Sequence, residues 1–392
     1  MEPTAFMEQL NTLLYPVPLQ KLKVWVLAPY LESKDANIDY YYDFSQSIEE
    51  YTRCFAGLAI DWKWKPVTMN DYALVIDEII NEKNAGLSFP IVLNICDGDE
   101  VNGTPGISVV KYLENAGLVY TGADAFFYDI TTSKIPMKQA FDNAGVANAK
   151  WAAIQNMADV NEGLFEKLGR PLIVKPSVSG GSMGVGVKNV VDNLQELQSQ
   201  VQNMLAGYRG WNLAVDGIVA ESFIKGPEYT VLIVGSYDQP ELAAIYTPVE
   251  RVFHPSLPEN EKFLSFDRLW EIYEEEEAMP QNGNFYEYAT PDTIYIEAIK
   301  KLSWDAFVAC RGKGYTRVDL RMDSTTKEIY VLEVNAQCGL SEDENYTSIG
   351  AILRLSDKSF AGMVIAILKD ALLRAKSKNS LPIAEPIKND NF

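Results

Sequence analysis

Short apolar runs alternate with longer stretches at helical spacing over the first hundred residues. Lys23-Val-Trp-Val-Leu-Ala-Pro-Tyr30 and Pro90-Ile-Val-Leu-Asn-Ile-Cys96 read as buried strands, and residues 47–59 and 73–81 place their apolar side chains on one helical face. This β-α-α-β order predicts an open α/β unit, a parallel sheet covered by helices. Further along, the pattern predicts a helix over 131–144 and a strand at 171–176, then a glycine-rich stretch and a strand at 187–190. A helix follows only at 192–205, so Ser177-Val-Ser-Gly-Gly-Ser-Met-Gly-Val-Gly186 is predicted to be a hairpin loop, not a strand-to-helix turn. Strands are predicted at 217–221, 229–234, 316–321 and 328–333, and helices at 294–311 and 359–375. Between 246 and 291 alternation breaks down, the form of a lid or an insert. The polar tail after Ser377 is expected to fray.

At 392 residues the chain predicts two or three packed domains, and 47% hydrophobic with 22% charged residues is a globular composition. Its 54 acidic against 34 basic side chains leave a net charge of -20, which repels nucleic acid and anionic lipid, so neither is expected as a partner. An anionic substrate then requires local cations and a metal. Cys54, Cys96, Cys310 and Cys338 are scattered without a Cys-x-x-Cys pair, which favours reduced thiols and a cytoplasmic location over zinc or disulfides. The amino terminus has no basic region followed by an apolar core.

Three clusters carry chemistry. Lys175 ends a strand before Gly180-Gly-Ser-Met-Gly184, where missing side chains let backbone N–H groups approach a phosphate; taken alone, such a hairpin is more often a flexible turn. In Glu221-Ser-Phe-Ile-Lys-Gly-Pro-Glu228 a turn brings two carboxylates together, able to accept from ribose hydroxyls or simply to be solvated. Arg317 and Asp319 share one face of a strand, and Glu333 and Asn335 one face of the next. If the turn between pairs those strands, Asp319, Glu333 and Asn335 converge as oxygen ligands for magnesium; the alternative is a surface hairpin with salt bridges. His254, the only histidine, reads as a loop residue, and Glu274 to Glu277 as a solvated face. The aromatic group Tyr40-Tyr-Tyr-Asp-Phe44 reads as core or as an amine pocket around Asp43.

In this order the three clusters resemble the ATP-grasp superfamily, and particularly the D-alanine–D-alanine ligases, over roughly 91–339. The resemblance implies an open α/β domain at 1–126, a small lid subdomain at 127–218 and a C-terminal subdomain with the metal site at 219–392. It implies ATP and magnesium, small carboxylate and amine substrates, and a possible homodimer. Lys134 and Lys175 match the phosphate lysines, Gly180, Gly181 and Ser182 the phosphate loop, Glu221 a residue at the adenine, and Glu228 the ribose carboxylate. Asp319, Glu333 and Asn335 match the metal ligands, Arg317 the arginine at the tetrahedral oxyanion, and Gly339 a glycine whose backbone supports it, with Ser182 of the loop as the third catalytic candidate. Asn94-Ile-Cys-Asp-Gly-Asp-Glu-Val-Asn-Gly-Thr104, with Glu100, resembles a diverged substrate loop.

Departures from the family fall on the substrate side. Gly181 replaces a loop serine, and Glu344 stands where a serine holds the second amino acid's carboxylate, with Ser341 as a substitute if the register slips. Leu269-Trp270 replaces a lysine-tyrosine pair in the lid, leaving Arg268 or Lys262 as its cation. These changes imply an acid–amine ligase acting through an acyl-phosphate but not a standard D-alanyl-D-alanine synthase. An ATP-grasp kinase, a ligase of another carboxylate, a nucleotide-binding regulator and, last, a dinucleotide-dependent dehydrogenase are the rivals.

Overall fold

A computed structural model describes residues 18–31, 43–208, 210–271, 273, 276–280, 283–345 and 347–379, together with Leu10 and Leu14. The first sheet contains β1 (Leu22–Pro29), β2 (Asp61–Val67), β3 (Phe89–Asn94) and β4 (Val119–Tyr120) in the order β2-β1-β3-β4, all parallel. Helix α1 (Ser45–Leu58) buries Ser47, Glu50, Tyr51, Cys54, Phe55 and Leu58, the i, i+3, i+4 stripe that a covering helix needs. The β-α-α-β expectation omitted β2, so the order is β-α-β-α-β. In Asp-Trp-Lys-Trp-Lys-Pro-Val67 charged and aromatic residues alternate, because β2 is an edge strand with a half-buried surface. Its Lys63 and Lys65 pair with Glu78 on the helix that follows.

The second sheet, antiparallel, has the order β5-β8-β6-β7: β5 (Trp151–Ile154), β6 (Leu172–Pro176), β7 (Val190–Val191) and β8 (Ile218–Ser222). The expected boundary at 218 therefore cuts a strand of this sheet. Residues 187–189 form a 3-10 turn instead of strand, since buried Asn189 turns inward to donate to Val174 O at 2.6 Å and Gly184 O at 2.9 Å.

The third sheet carries the order β12-β11-β9-β13-β14, with the short strand β10 (Ala244–Ile245) also on β9. Its strands are β9 (Glu228–Ser236), β11 (Val249–Phe253), β12 (Tyr286–Ala289), β13 (Lys313–Met322) and β14 (Ile329–Ala336), antiparallel throughout. The segment 246–291 is thus not without structure: β11 and β12 pair at Arg251↔Tyr288, and the excursion between them holds the short helix Phe266–Trp270. Two strands of five and four residues are too short for alternation to reveal.

One face of this sheet, through Tyr229, Val231, Ile233, Val318 and Leu320, joins the core with Val92, Phe127, Met137 and Phe307. A bulge between Asp319 and Leu320 shifts the partner from Glu333 to Val331, so Val331 and Val334 are buried and Leu332 between them is half-buried. The last helix runs Phe360–Asn379, two residues beyond the expected start of fraying; the rest of the tail lies outside the described residues, as do Tyr40, Tyr41, Tyr42, Glu274 and Glu275. All four cysteines are free and buried, and among the described residues no helix is long and apolar enough to cross a membrane.

Candidate active site

Strand register builds the polar face of the third sheet rank by rank. Arg251, Glu228 and Arg321 are opposite one another on β11, β9 and β13; Thr230, Asp319 and Glu333 form the next rank; Arg317 and Asn335 pair in the third. Side chains two residues apart share a face, so these eight meet although they come from four strands. Arg317 clasps Asp319 through Nε at 3.0 and 3.1 Å and Nη2 at 2.8 Å, and Thr230 Oγ1 donates to Asp319 Oδ1 at 2.7 Å. Asn335 Nδ2 donates to Asp319 Oδ2 at 3.0 Å and Glu333 Oε1 at 3.3 Å. Burial alone would weaken the Arg317 proton, but the Asp319 carboxylate more than offsets it, so the guanidinium is held charged. Arg251 Nη1 contacts Glu228 Oε1, and Arg321 Nη2 stands 3.5 Å from Oε2.

The phosphate-loop candidates face this sheet. Ser133 and Ser177 share a hydrogen bond of 2.8 Å, and Lys134 N donates to Ser177 O at 2.8 Å, which ties helix α2 (Lys134–Ala144) to the start of the loop. Lys134 Nζ then reaches Ser179 Oγ at 3.2 Å and Glu333 Oε2 at 3.7 Å, linking the loop to the third sheet. Its burial lowers the ammonium's pKa from the ordinary lysine value, with Glu333 opposing. Lys175 and Glu221 lie two residues apart on one face of the β6–β8 pair, and Lys175 Nζ contacts Glu221 Oε1. Lys138, a turn beyond Lys134, contacts Oε2 at 2.6 Å. Burial would raise the Glu221 pKa; the two lysines overcome it and hold it at about 2.

Within the loop Gly181, Ser182 and Gly184 have positive φ, of 55°, 58° and 70°. A Cβ on Gly181 would stand 2.9 Å from Trp270 Cζ2, and Trp270 Nε1 donates to Gly181 O at 2.9 Å, so the lid's indole occupies the space a loop side chain would need. Ser182 Oγ donates to Leu264 O at 3.0 Å, and Phe266 N to Val185 O at 2.8 Å. The segment between β11 and β12 therefore packs directly on the loop. Gly180 has open space where a Cβ would project.

The substrate-side candidates do not converge. Arg268 is spent inside the lid: its side chain is 3% exposed, pairs with Glu276 at 2.9 Å and Glu261 at 3.1 Å, and donates to Glu261 O. Glu276 is not a solvated residue as expected, because it also accepts from Ser265 Oγ at 2.9 Å and Val187 N at 3.0 Å. Lys262 Nζ contacts Glu259, and its carbonyl accepts from Arg321. Glu344 pairs with Arg354 at 2.6 Å, and Ser341 Oγ donates to buried Glu50 at 2.7 Å, so that hydroxyl is already engaged. Glu100 accepts from Gly106 N, Ser108 N and Ser108 Oγ, closing its own loop, and exposed Asp43 accepts from Ser45 N at the start of α1. Gly339 is exposed three residues beyond the end of β14, and His254 sits in a loop against Ser256 at 2.7 Å.

Lys138, Thr230, Arg251, Arg321 and Trp270 were not anticipated in these contacts. Lys138 repeats Lys134 at i+4 and Arg321 continues the Arg317, Asp319 alternation, so both were legible; Arg251 and Thr230 enter only through strand order. Among the described residues no group of three or more His, Cys, Asp or Glu could hold a metal, so a cation here would use two carboxylates and an amide.

The family model described as D-ala D-ala ligase C-terminus matches residues 140–353. A D-alanine–D-alanine ligase B of Xanthomonas campestris is 26% identical over 288 residues, covering 72% of this chain and 79% of that protein. The D-alanine–D-alanine ligase of Stutzerimonas stutzeri is 26% identical over 265 residues, 68% and 73% of the two chains. Among solved structures, D-alanine–D-alanine ligase from Bacillus anthracis complexed with ATP superimposes with a TM-score of 0.61 at 19% identity, covering 91% of this chain and 99% of that one, a likeness of fold.

Proposed function

Because the chain belongs to the D-ala D-ala ligase C-terminus family, whose members are ATP-grasp ligases forming a carbon–nitrogen bond, we propose that it joins a carboxylate to an amine through an acyl-phosphate, releasing ADP and phosphate. The observation that carries this reading is the junction of Lys134 with Glu333, which brings the phosphate loop against the Asp319, Glu333, Asn335 group. That group fits magnesium: it offers two carboxylates and an amide, and half a turn of the amide puts Oδ1 where Nδ2 now bridges the carboxylates. Bound there, magnesium would neutralise phosphate charge.

Lys134 and Lys175 hold the phosphates, aided by the backbone of Gly180, Gly181 and Ser182, while Glu221 meets the adenine and Glu228 the ribose. The substrate carboxylate attacks the γ-phosphate. The amine then attacks the acyl carbon, and Arg317 with the backbone at Gly339 stabilises the tetrahedral oxyanion before phosphate leaves. The closed lid excludes water from the acyl-phosphate. In this reading residues 1–126 close the substrate side and ATP lies between the second sheet and the third.

The acceptor is held differently from that of D-alanine ligases, and D-alanyl-D-alanine is not the main product. Glu344 with its Arg354 partner, Leu269 in the lysine position and Gly181 in the serine position support this. An ADP-release screen over pairs of amino acids and other carboxylates, with mass spectrometry of the products, tests both statements. Release of ADP and phosphate with an amide other than D-alanyl-D-alanine is expected. AMP and pyrophosphate would overturn the mechanism, a phosphorylated acceptor would favour a kinase, and efficient D-alanyl-D-alanine synthesis would overturn the acceptor statement.

A further inference from the structure

Glu221 is 2% exposed and carries two ammonium groups, one on each oxygen. The two lysines differ in access. Lys138 is 1% exposed, on the buried face of helix α2, whereas the Lys175 side chain is 16% exposed. Apart from their mutual 2.6 Å ion pair, Lys138 Nζ and Glu221 Oε2 have no hydrogen-bond partner among the described residues. Lys175, by contrast, is the lysine assigned above to a nucleotide phosphate, and with Glu221 on its ammonium it is not free to serve there.

We propose that Lys138 is a positioning residue, the standing counter-ion of Glu221, which lets Lys175 exchange its carboxylate for a phosphate when nucleotide enters. The proposal rests on the nucleotide-site reading above. Withdrawing Lys175 from a buried carboxylate with no second cation would leave an uncompensated charge, the costly case for buried pairs. With Lys138 in place the exchange leaves Glu221 neutralised at Oε2 and frees Oε1 to accept from an amino group of the base. Lys138 contacts no ligand in this scheme; it makes the departure of Lys175 inexpensive.

The test is the affinity of the intact protein for ADP with magnesium, by calorimetry, in four variants. Lys138→Met should weaken binding by about tenfold to a hundredfold, because Lys175 becomes the sole partner of Glu221. Lys138→Met with Glu221→Gln should regain most of that loss, since the glutamine keeps an acceptor oxygen and no buried carboxylate remains. A role in packing alone predicts no such recovery. Wild-type affinity in Lys138→Met, or a double variant no tighter than Lys138→Met, would overturn the proposal. If Lys138→Met does not fold, Glu221→Gln and the double variant decide: equal affinities are expected, and a tenfold weaker double variant would overturn it. Lys175→Met separates the two levels. It should bind ADP weakly; affinity equal to wild type would overturn the nucleotide-site reading and this proposal with it.

Discussion

At Glu221 two opposing effects are large and the lysines win. The carboxyl titrates at about 2 in the fold against 4.5 for the free group, so its ion pairs stabilise the fold fully above about pH 4.5 and are lost as pH falls through about 2. The loss amounts to about 3 kcal/mol. Urea unfolding of wild type and of Lys138→Met with Glu221→Gln between pH 5 and 2 should therefore show wild type losing more; parallel curves would contradict this. At the metal group, Glu333→Gln should lower magnesium-dependent turnover by about a hundredfold or more by removing one anionic ligand, with the fold retained because the side chain is part-exposed. Normal magnesium dependence in that variant would remove Glu333 from the site. Lys175 was legible in the sequence because it ends a strand before a glycine-rich turn, and Asp319, Glu333 and Asn335 because i, i+2 spacing puts Arg317 with Asp319 and Glu333 with Asn335 on shared strand faces. Arg251 was not, since a single arginine in Val-Glu-Arg-Val-Phe253 becomes a site residue only when β11 pairs with β9.

Among elements, the lid and the glycine loop act as one unit. Trp270 Nε1 donates to Gly181 O, and Gly181 has φ of 55° with no room for a Cβ beside the indole. Gly181→Ala should cost about 1–3 kcal/mol in local stability from backbone strain and contact. Faster limited proteolysis within 254–285 is the expected readout, and Trp270→Ala should show the same by loss of the hydrogen bond; cleavage at the wild-type rate in both would separate lid from loop. This unit was invisible in the sequence, where 246–291 looked irregular. Short strands interrupted by charged residues, as in β2 and β11, carry too few apolar residues for a period to emerge, whereas β1, β3 and β9, buried along most of their length, were plain.

On the scale of the whole molecule, the first sheet and the third share a core and are also tied through one amide. Gln337, buried just beyond β14, donates to Asn94 O at 2.8 Å and accepts from Ala123 N at 2.8 Å, while Tyr315 O–H donates to the same Asn94 carbonyl at 3.0 Å. Gln337→Ala would leave the buried Ala123 N–H unpaired and should destabilise the protein by about 2–4 kcal/mol, measured by urea unfolding; a change under about 0.5 kcal/mol would deny the joint that role. The ordered set of three clusters conveyed the ATP-grasp architecture, but this joint, the bulge at Asp319 and the spent cations of the lid depend on contacts between residues far apart in the chain. The central claim is the acyl-phosphate, and oxygen-18 in the substrate carboxylate tests it most directly. Under turnover with ATP, one labelled oxygen should pass into inorganic phosphate as the amide forms and ADP is released. Amide formation with unlabelled phosphate, or label recovered in AMP, would contradict the account.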